Sequence, residues 1–211
     1  MLTLYGDALW ESPYVFSAFV SLREKRLEFE TKTFDLDRGE HRQPSFTEPT
    51  ITGKVPALEH DGFWLTESLA IVEYLEERFP APQHPAILPS SVEDRARARQ
   101  LLGWLRFGTD LLRAERPTSS IYFEPVRTPL SQRARANADA LVRFTERLLS
   151  PGATALFSTW TVCDAELALM LRRLLANGDA VPERIRAYAD AVWARPSVRA
   201  YVERERPSRS H

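Results

Sequence analysis

The chain has 211 residues, of which 44% are hydrophobic and 27% are charged, and its formal net charge is −1. This length and apolar content suffice for a sizeable core, in one large or two small domains. The near-zero charge gives no electrostatic reason to expect binding to nucleic acid or a membrane, and no stretch resembles a membrane span or a secretory signal. A cytoplasmic protein is therefore expected.

Cysteine and histidine are sparse in this sequence. The single cysteine, Cys163, excludes an internal disulfide and any multi-cysteine metal site, and it is interpreted as a small buried residue. The four histidines show no metal-ligand spacing. The sequence therefore predicts no metal cofactor.

The first predicted elements are a short strand over residues 2–4 and a helix over residues 13–23 with a broad apolar face. Between them Ser12 precedes Pro13, which suits the first helical position because its missing N–H costs nothing there. Ser12 is therefore predicted to cap the helix, with its hydroxyl at the positive end of the helix dipole. Such a hydroxyl can donate to a bound thiolate or phosphate, although a Ser-Pro pair alone is more often only a cap.

Residues 29–34 alternate like a half-buried strand, and the polar stretch that follows is expected to be irregular, with at most a short helix over residues 42–46. Two further short strands flank Asp61-Gly62, the two-residue signal of a β-hairpin. Pro56 opens this hairpin, and a kinked or cis bond there would turn the backbone of Val55 outward, where it can pair with a peptide.

Glu67 and Ser68 directly follow the hairpin and open a third predicted helix. Free N–H groups at a helix start suit a carboxylate, and the side chain of Glu67 could hold an ammonium group. The sequence therefore predicts that this helix start binds a zwitterionic ligand.

The proline-rich stretch 80–89 has no regular period and is predicted to link two domains, residues 1–79 and 90–211. After it the pattern is wholly helical, with predicted helices over 91–115, 132–149, 161–175, 182–193 and 196–203. Thr161 and Asp164 have the spacing of a capping box, a folding element worth about 0.5–2 kcal/mol. The arginine-rich tail is expected to fray.

This order of elements, with its Lys-Val-Pro strand and Glu-Ser helix, resembles the cytosolic glutathione transferases, and the resemblance extends through the whole chain. It implies a thioredoxin-like α/β domain over residues 1–79 and an all-α helical bundle over residues 90–211. It further implies a bacterial, serine-type glutathione transferase that uses glutathione as co-substrate. A homodimer is also implied, with the third helix and the helix over 91–115 forming the contact.

The resemblance also assigns roles to individual residues. Ser12 would hydrogen-bond the glutathione sulfur, the Val55 backbone would pair with the cysteinyl unit beside cis Pro56, Glu67 and Ser68 would grip the γ-glutamyl end, and Lys54 would meet the glycine carboxylate. Tyr5, at the end of the first strand, is the second candidate for the sulfur contact. Tyr14, a turn into the helix, is expected to pack instead.

An unperturbed thiol has a pKa near 8.5, and one hydrogen bond to its thiolate, at about 1.5–3 kcal/mol, would lower that pKa by roughly one to two units. Ser12 would act as a donor rather than a base, because its own proton is held too tightly. The predicted reaction is the addition of the glutathione thiolate to an electrophilic small molecule.

The electrophile is expected in a pocket between the two domains. The candidates for its walls are Trp10, Trp104, Phe107, Arg113, Tyr122 and Phe123, although aromatic residues at helical spacing are more often core. Two alternatives stay open: a glutathione-dependent peroxidase or disulfide reductase, and a non-catalytic transferase-like scaffold. The presence of Ser12, Lys54, Val55-Pro56 and Glu67-Ser68 argues against a scaffold.

Overall fold

The computed structural model describes residues 1–208. They divide into two compact units, one formed by Met1–Ile87 together with the segment that begins at Arg199, the other by Leu88–Val198. No helix in the described part of the chain is both long and apolar enough to cross a membrane.

The first unit is built on a four-stranded mixed sheet in the order β2-β1-β3-β4. The strands are β1 (Leu2–Asp7), β2 (Glu30–Phe34), β3 (Ala57–His60) and β4 (Phe63–Thr66). β1 runs parallel to β2 and antiparallel to β3, and β3 and β4 form the predicted hairpin. Asp61 at φ 50° and Gly62 at φ 86° form its turn, so the interpretation of the Asp-Gly pair is confirmed.

Three helices accompany this sheet: α1 (Pro13–Glu24), α2 (Pro44–Thr47) and α3 (Ser68–Arg78). A 3₁₀ turn over Glu40–Arg42 precedes α2. α1 packs against α3 and β1, and its buried face includes Phe16, Phe19 and Leu22. The β-α-β unit followed by a hairpin and a helix is the predicted thioredoxin-like arrangement.

A buried ion pair ties the end of α1 to α3. The ammonium of Lys25 lies 2.6 Å from a carboxylate oxygen of Glu76 and donates to the carbonyl of Phe79 at 2.9 Å. The same Glu76 oxygen accepts the N–H of Ile87 at 3.0 Å. These bonds compensate the burial of both charges, which would otherwise be costly.

The second unit is helical. Its helices are α4 (Val92–Phe107), α5 (Asp110–Glu115), α6 (Ser119–Tyr122), α7 (Gln132–Leu148), α8 (Val162–Ala176) and α9 (Glu183–Trp193), followed by α10 (Pro196–Val202). α8 is buried along most of its length. The predicted capping box is confirmed at its start, where Asp164 accepts the backbone N–H of Thr161 at 2.8 Å.

The prediction of one helix over 91–115 is wrong, because the chain breaks between α4 and α5. Gly108 ends α4, and the ring of Trp104 folds across it so closely that a Cβ at this position would lie 2.5 Å from the indole nitrogen. Thr109 then leaves the helical conformation and donates its hydroxyl to the carbonyl of Leu105 at 2.7 Å. Glycine is a poor helix former, and a threonine hydroxyl bonded to the carbonyl four residues earlier weakens a helix, so both residues favour a break here.

The expectation of a frayed tail is also wrong as far as Arg206. The guanidinium of Arg206 donates to backbone carbonyls of the first unit, and that of Arg204 lies over the ring of Trp10. Residues 209–211, the last part of that tail, lie outside the described residues.

Candidate active site

The sheet register brings the sequence-predicted residues to one end of the first unit. Tyr5 in β1 pairs with Ala57 at the start of β3, and Ala57 pairs with Thr66 at the end of β4. The loop that follows β1, the Val55-Pro56 pair before β3 and the Glu67-Ser68 pair after β4 therefore leave the sheet at the same end. Ser12 stands at the far end of that loop, where α1 begins.

Ser12 caps α1 as predicted. Its backbone is extended, and its hydroxyl oxygen accepts the N–H of Val15 at 3.3 Å. This bond uses an oxygen lone pair, so the hydroxyl can still donate its own hydrogen to a ligand. The cap is half-buried and precedes Pro13 at the first helical position.

The β1–α1 loop is held from within by Asp7, a buried residue at the end of β1. Its two carboxylate oxygens accept the N–H of Glu11 at 2.8 Å and the N–H of Ser12 at 3.3 Å. Burial raises the pKa of the Asp7 carboxyl, whereas these N–H groups and the positive charge of Arg206 act in the opposite direction. Asp7 thus fixes the backbone that presents the serine.

Tyr5, the rival of Ser12, lies in an aromatic cluster. Its ring packs against those of Phe34, Phe46 and Trp64, with centroid distances of 4.9–6.0 Å. The phenol donates to Glu59 at 2.9 Å. Burial and this hydrogen bond raise the pKa of Tyr5 to about 12, because both disfavour the phenolate.

The segment before β3 has the predicted shape. The Val55–Pro56 peptide bond is cis, and Pro56 is buried. Val55 is half-buried and packs against the aromatic cluster around Tyr5. Lys54 is exposed immediately before it.

Glu67 and Ser68 stand at the start of α3. Glu67 is exposed and has φ 68° and ψ 113°, a conformation that residues with a side chain rarely adopt. Its carbonyl accepts the N–H of Ile71 at 3.0 Å, the first hydrogen bond of the helix. Ser68 is the first helical residue and is buried.

Trp10, predicted to line the electrophile pocket, lies in the first unit. Its ring makes edge contacts with Phe19 at 5.8 Å and Tyr201 at 5.5 Å, and the guanidinium of Arg204 lies 3.9 Å from its centroid. The ring is buried, and these contacts favour a packing role.

The other predicted pocket residues lie in the second unit. Trp104 stacks on Phe144 with a centroid distance of 4.4 Å, and Phe107 is 82% exposed. Arg113 donates to the carbonyl of Arg106 at 2.5 Å. Tyr122 and Phe123, at the end of α6, are half-buried.

Three residues that hold the β1–α1 loop were not predicted from the sequence: Asp7, Tyr201 and Arg206. For Asp7 a signal existed, since an acid four residues before Glu11 can satisfy the free N–H groups ahead of a helix. Tyr201 contacts Ser12 from 189 positions along the chain, a pairing that local pattern cannot reveal.

Comparison with known families agrees with this fold. The N-terminal domain of glutathione S-transferase matches residues 2–77, and the C-terminal domain of the same family matches residues 91–205. The chain therefore belongs to the glutathione S-transferase family.

Individual relatives show how far the similarity extends. A glutathione transferase homologue from Burkholderia, solved with bound glutathione, is 39% identical, with a TM-score of 0.80 and 96% of each chain covered. A glutathione S-transferase from Rhodospirillum rubrum is 28% identical, with a TM-score of 0.73 and coverage of 99% of this chain and 97% of that one. Human glutathione S-transferase theta-2 is 34% identical over 88 residues, 42% of this chain and only 35% of the human protein.

Proposed function

We propose that this protein is a glutathione transferase in which the Ser12 hydroxyl stabilises the thiolate of bound glutathione for addition to an electrophilic small molecule. The Ser12 cap carries the proposal. Its hydroxyl oxygen accepts the N–H of Val15 and keeps a hydrogen to donate, at the same end of the sheet as the Val55-Pro56 and Glu67-Ser68 segments. The glutathione bound to the Burkholderia homologue supports the choice of ligand.

The proposed activation of the thiol requires only one hydrogen bond to the thiolate. A hydrogen bond to a charged group is worth about 1.5–3 kcal/mol, which lowers the pKa of a thiol by roughly one to two units from its usual value near 8.5. The positive end of α1 adds a smaller contribution. The thiolate then donates the electron pair of the new carbon–sulfur bond. In a substitution, the leaving group departs with the electron pair of the bond that breaks; in an addition to a double bond, that pair moves to the neighbouring atom, which takes a proton from water.

The remaining segments bind the peptide. The backbone of Val55 would pair with the cysteinyl unit, because Val55 precedes β3 and the neighbouring Pro56 has no N–H to donate. Glu67 would hold the ammonium of the γ-glutamyl end, with Ser68 and the N–H groups of α3 at its carboxylate. Lys54, exposed beside Val55, would meet the glycine carboxylate.

The geometry of Tyr5 favours Ser12 as the thiolate donor. The phenol already donates its single proton to Glu59 at 2.9 Å and is packed among aromatic rings. A switch of this proton to a ligand would leave the Glu59 carboxylate without that donor. The Ser12 hydroxyl, by contrast, serves the helix as an acceptor.

For the electrophile we propose the aromatic residues of the helical unit. Phe107 exposes an apolar ring, and Trp104, Tyr122 and Phe123 are half-buried. A half-buried side chain can pack against the core on one side and contact a ligand on the other. A compound with a large apolar surface and one reactive carbon fits this composition.

A reductase that works through its own thiol is disfavoured. Cys163 is buried within α8, and burial raises the pKa of its thiol well above the usual value. A reactive cysteine needs the opposite environment, exposed and electropositive. Reduction of a peroxide by glutathione itself would use the same Ser12-stabilised thiolate and is tested alongside conjugation.

The test is the ultraviolet absorbance of the glutathione thiolate, titrated with pH in the presence of the protein. We expect an apparent thiol pKa roughly one to two units below that of free glutathione. Ser12→Ala should raise it most of the way back and reduce the conjugation rate with an activated aryl halide, while affinity for glutathione changes little. Tyr5→Phe is the matched control and should keep both. If the lowered thiol pKa is lost in Tyr5→Phe and kept in Ser12→Ala, Tyr5 rather than Ser12 is the thiolate donor. An unshifted thiol pKa in the wild type would refute thiol activation.

A further inference from the structure

The loop that presents Ser12 is also held from outside, by the C-terminal segment of the chain. The phenol of Tyr201 donates to the carbonyl oxygen of Ser12 at 3.0 Å. The guanidinium of Arg206 donates to the carbonyl oxygen of Trp10 through Nη2 at 3.1 Å and through Nε at 3.3 Å. Two carbonyls of one short loop therefore depend on donors that lie about 190 residues further along the chain.

The Ser12 carbonyl is a sensitive place for such a contact. It accepts the N–H of Phe16 at 3.0 Å, which is the first intrahelical bond of α1, and its peptide group continues into Pro13. Rotation of this peptide would change the position of the Ser12 side chain relative to the helix end. The Tyr201 phenol, fully buried against Phe16 and Phe19, opposes that rotation.

The backbone of Trp10 is a second part of the loop that the C-terminal segment holds. Its φ of 50° lies in the left-handed region, which a bulky residue adopts only where the surrounding structure determines it. Its carbonyl is held by Arg206 and its ring by the Arg204 guanidinium, 3.9 Å from the centroid. The Tyr201 ring contacts the same indole edge-on at 5.5 Å.

The C-terminal segment with Tyr201 and Arg206, called the C-terminal clamp below, is itself held by internal hydrogen bonds. Arg206 also donates to the carbonyls of Val202 at 2.8 Å and Tyr201 at 3.2 Å. These bonds within the C-terminal segment fix the orientation of the guanidinium that contacts the loop. At the end of β1, Asp7 accepts the N–H groups of Glu11 and Ser12. The loop is thus held through its N–H groups by Asp7 and through its carbonyls by the C-terminal segment.

We infer that Tyr201 and Arg206 are positioning residues for thiol activation: they hold the carbonyls of Ser12 and Trp10 so that the Ser12 hydroxyl keeps the direction it needs toward the glutathione sulfur. This inference rests on the proposed function. It assigns to the C-terminal segment a part in the reaction rate that is separate from its part in stability.

Tyr201→Phe tests the inference, because it removes one hydroxyl and keeps the ring packing. We expect kcat to fall roughly three- to tenfold, KM for glutathione to stay within about twofold, and the pKa of the bound thiol to rise by roughly half a unit to one unit. The matched control is Tyr188→Phe, which removes another buried hydroxyl, the one that donates to Asp164 at 2.8 Å in the helical unit. It should lower stability and leave kcat and the thiol pKa unchanged.

Arg206→Met should give the same pattern as Tyr201→Phe, and Arg206→Lys should restore part of the rate, since an ammonium can still reach one carbonyl. A purely structural role would lower the melting temperature of these variants without moving the thiol pKa. An unchanged thiol pKa and kcat in both Tyr201→Phe and Arg206→Met overturns the inference.

Hydrogen exchange separates this failure from a failure of the proposed function. The amides of residues 8–12 and 14–16 should exchange faster in Tyr201→Phe and Arg206→Met than in the wild type, whether or not the thiol is activated. Unchanged exchange there overturns the positioning role directly. An unshifted thiol pKa in the wild type, with faster exchange in the variants, instead rejects the activation by Ser12 and supports the holding of the loop.

Discussion

At the scale of single residues, Glu67 combines a strained backbone with an exposed charge. Its φ of 68° and ψ of 113° cost about 1–3 kcal/mol for a residue with a side chain. The exposed carboxylate forms no cap hydrogen bond at the start of α3, so capping does not account for the strain. An exposed acid held in such a backbone at a helix start is consistent with the proposed contact between Glu67 and the ammonium group of glutathione.

Glu67→Ala should therefore weaken glutathione binding far more than it slows turnover. Loss of a charge-assisted contact of about 1.5–3 kcal/mol raises the dissociation constant roughly 10- to 100-fold, while kcat at saturating glutathione stays close to that of the wild type. Titration calorimetry measures the first quantity and steady-state kinetics the second. Glu77→Ala, at an exposed acid on the same helix, is the control. An unaltered dissociation constant in Glu67→Ala would reject the γ-glutamyl role.

At the scale of elements, Asp164 does more than cap one helix. Its carboxylate accepts the N–H of Thr161, the N–H of Leu156 and the phenol of Tyr188, each at 2.8 Å. Three parts of the helical unit therefore meet at one buried side chain: the start of α8, the segment before it and α9. A capping contribution of about 0.5–2 kcal/mol, expected from the sequence, covers only the first of these contacts.

For Asp164→Ala we expect the free energy of unfolding to fall by about 3–5 kcal/mol, because each buried donor left unpaired costs about 1–3 kcal/mol. Urea unfolding followed by circular dichroism measures the change. Asp94→Ala removes an acid from the first turn of α4, where the side chain is partly exposed, and should cost less than about 1 kcal/mol. Equal losses in the two variants would mean that Asp164 acts as an ordinary cap.

The elements also show which features of this chain are local. Ser12 before a proline, Asp61-Gly62 between two short strands and Thr161 before Asp164 each determine their own backbone, and the sequence predicts all three correctly. The amphipathic pattern, by contrast, continues through the break at Gly108 and Thr109 and therefore predicts one helix where the structure has two. The C-terminal clamp depends on contacts across 189 positions and had no sequence signal.

At the scale of the whole molecule, several large apolar side chains among the described residues are exposed. Ile51 is 98% exposed, Phe63 49%, Val92 79% and Phe107 82%. Phe63 lies beside Tyr74 of α3, with a centroid distance of 5.3 Å, and Val92 opens α4. These two exposed side chains lie beside α3 and at the start of α4, and the family resemblance predicts a homodimer contact through α3 and the helix expected over residues 91–115.

We expect the 24.1 kDa chain to sediment at micromolar concentration with about twice its monomer mass. Val92→Glu should shift the equilibrium toward the monomer, because it places a charge in an apolar contact. The same change suits the fold, since an acid in the first turn of a helix interacts favourably with its dipole. Gln100→Glu adds the same charge at an exposed position further along α4 and should leave the dimer intact. A wild-type monomer would refute the dimer, and a Val92→Glu protein that stays dimeric would move the contact away from the start of α4.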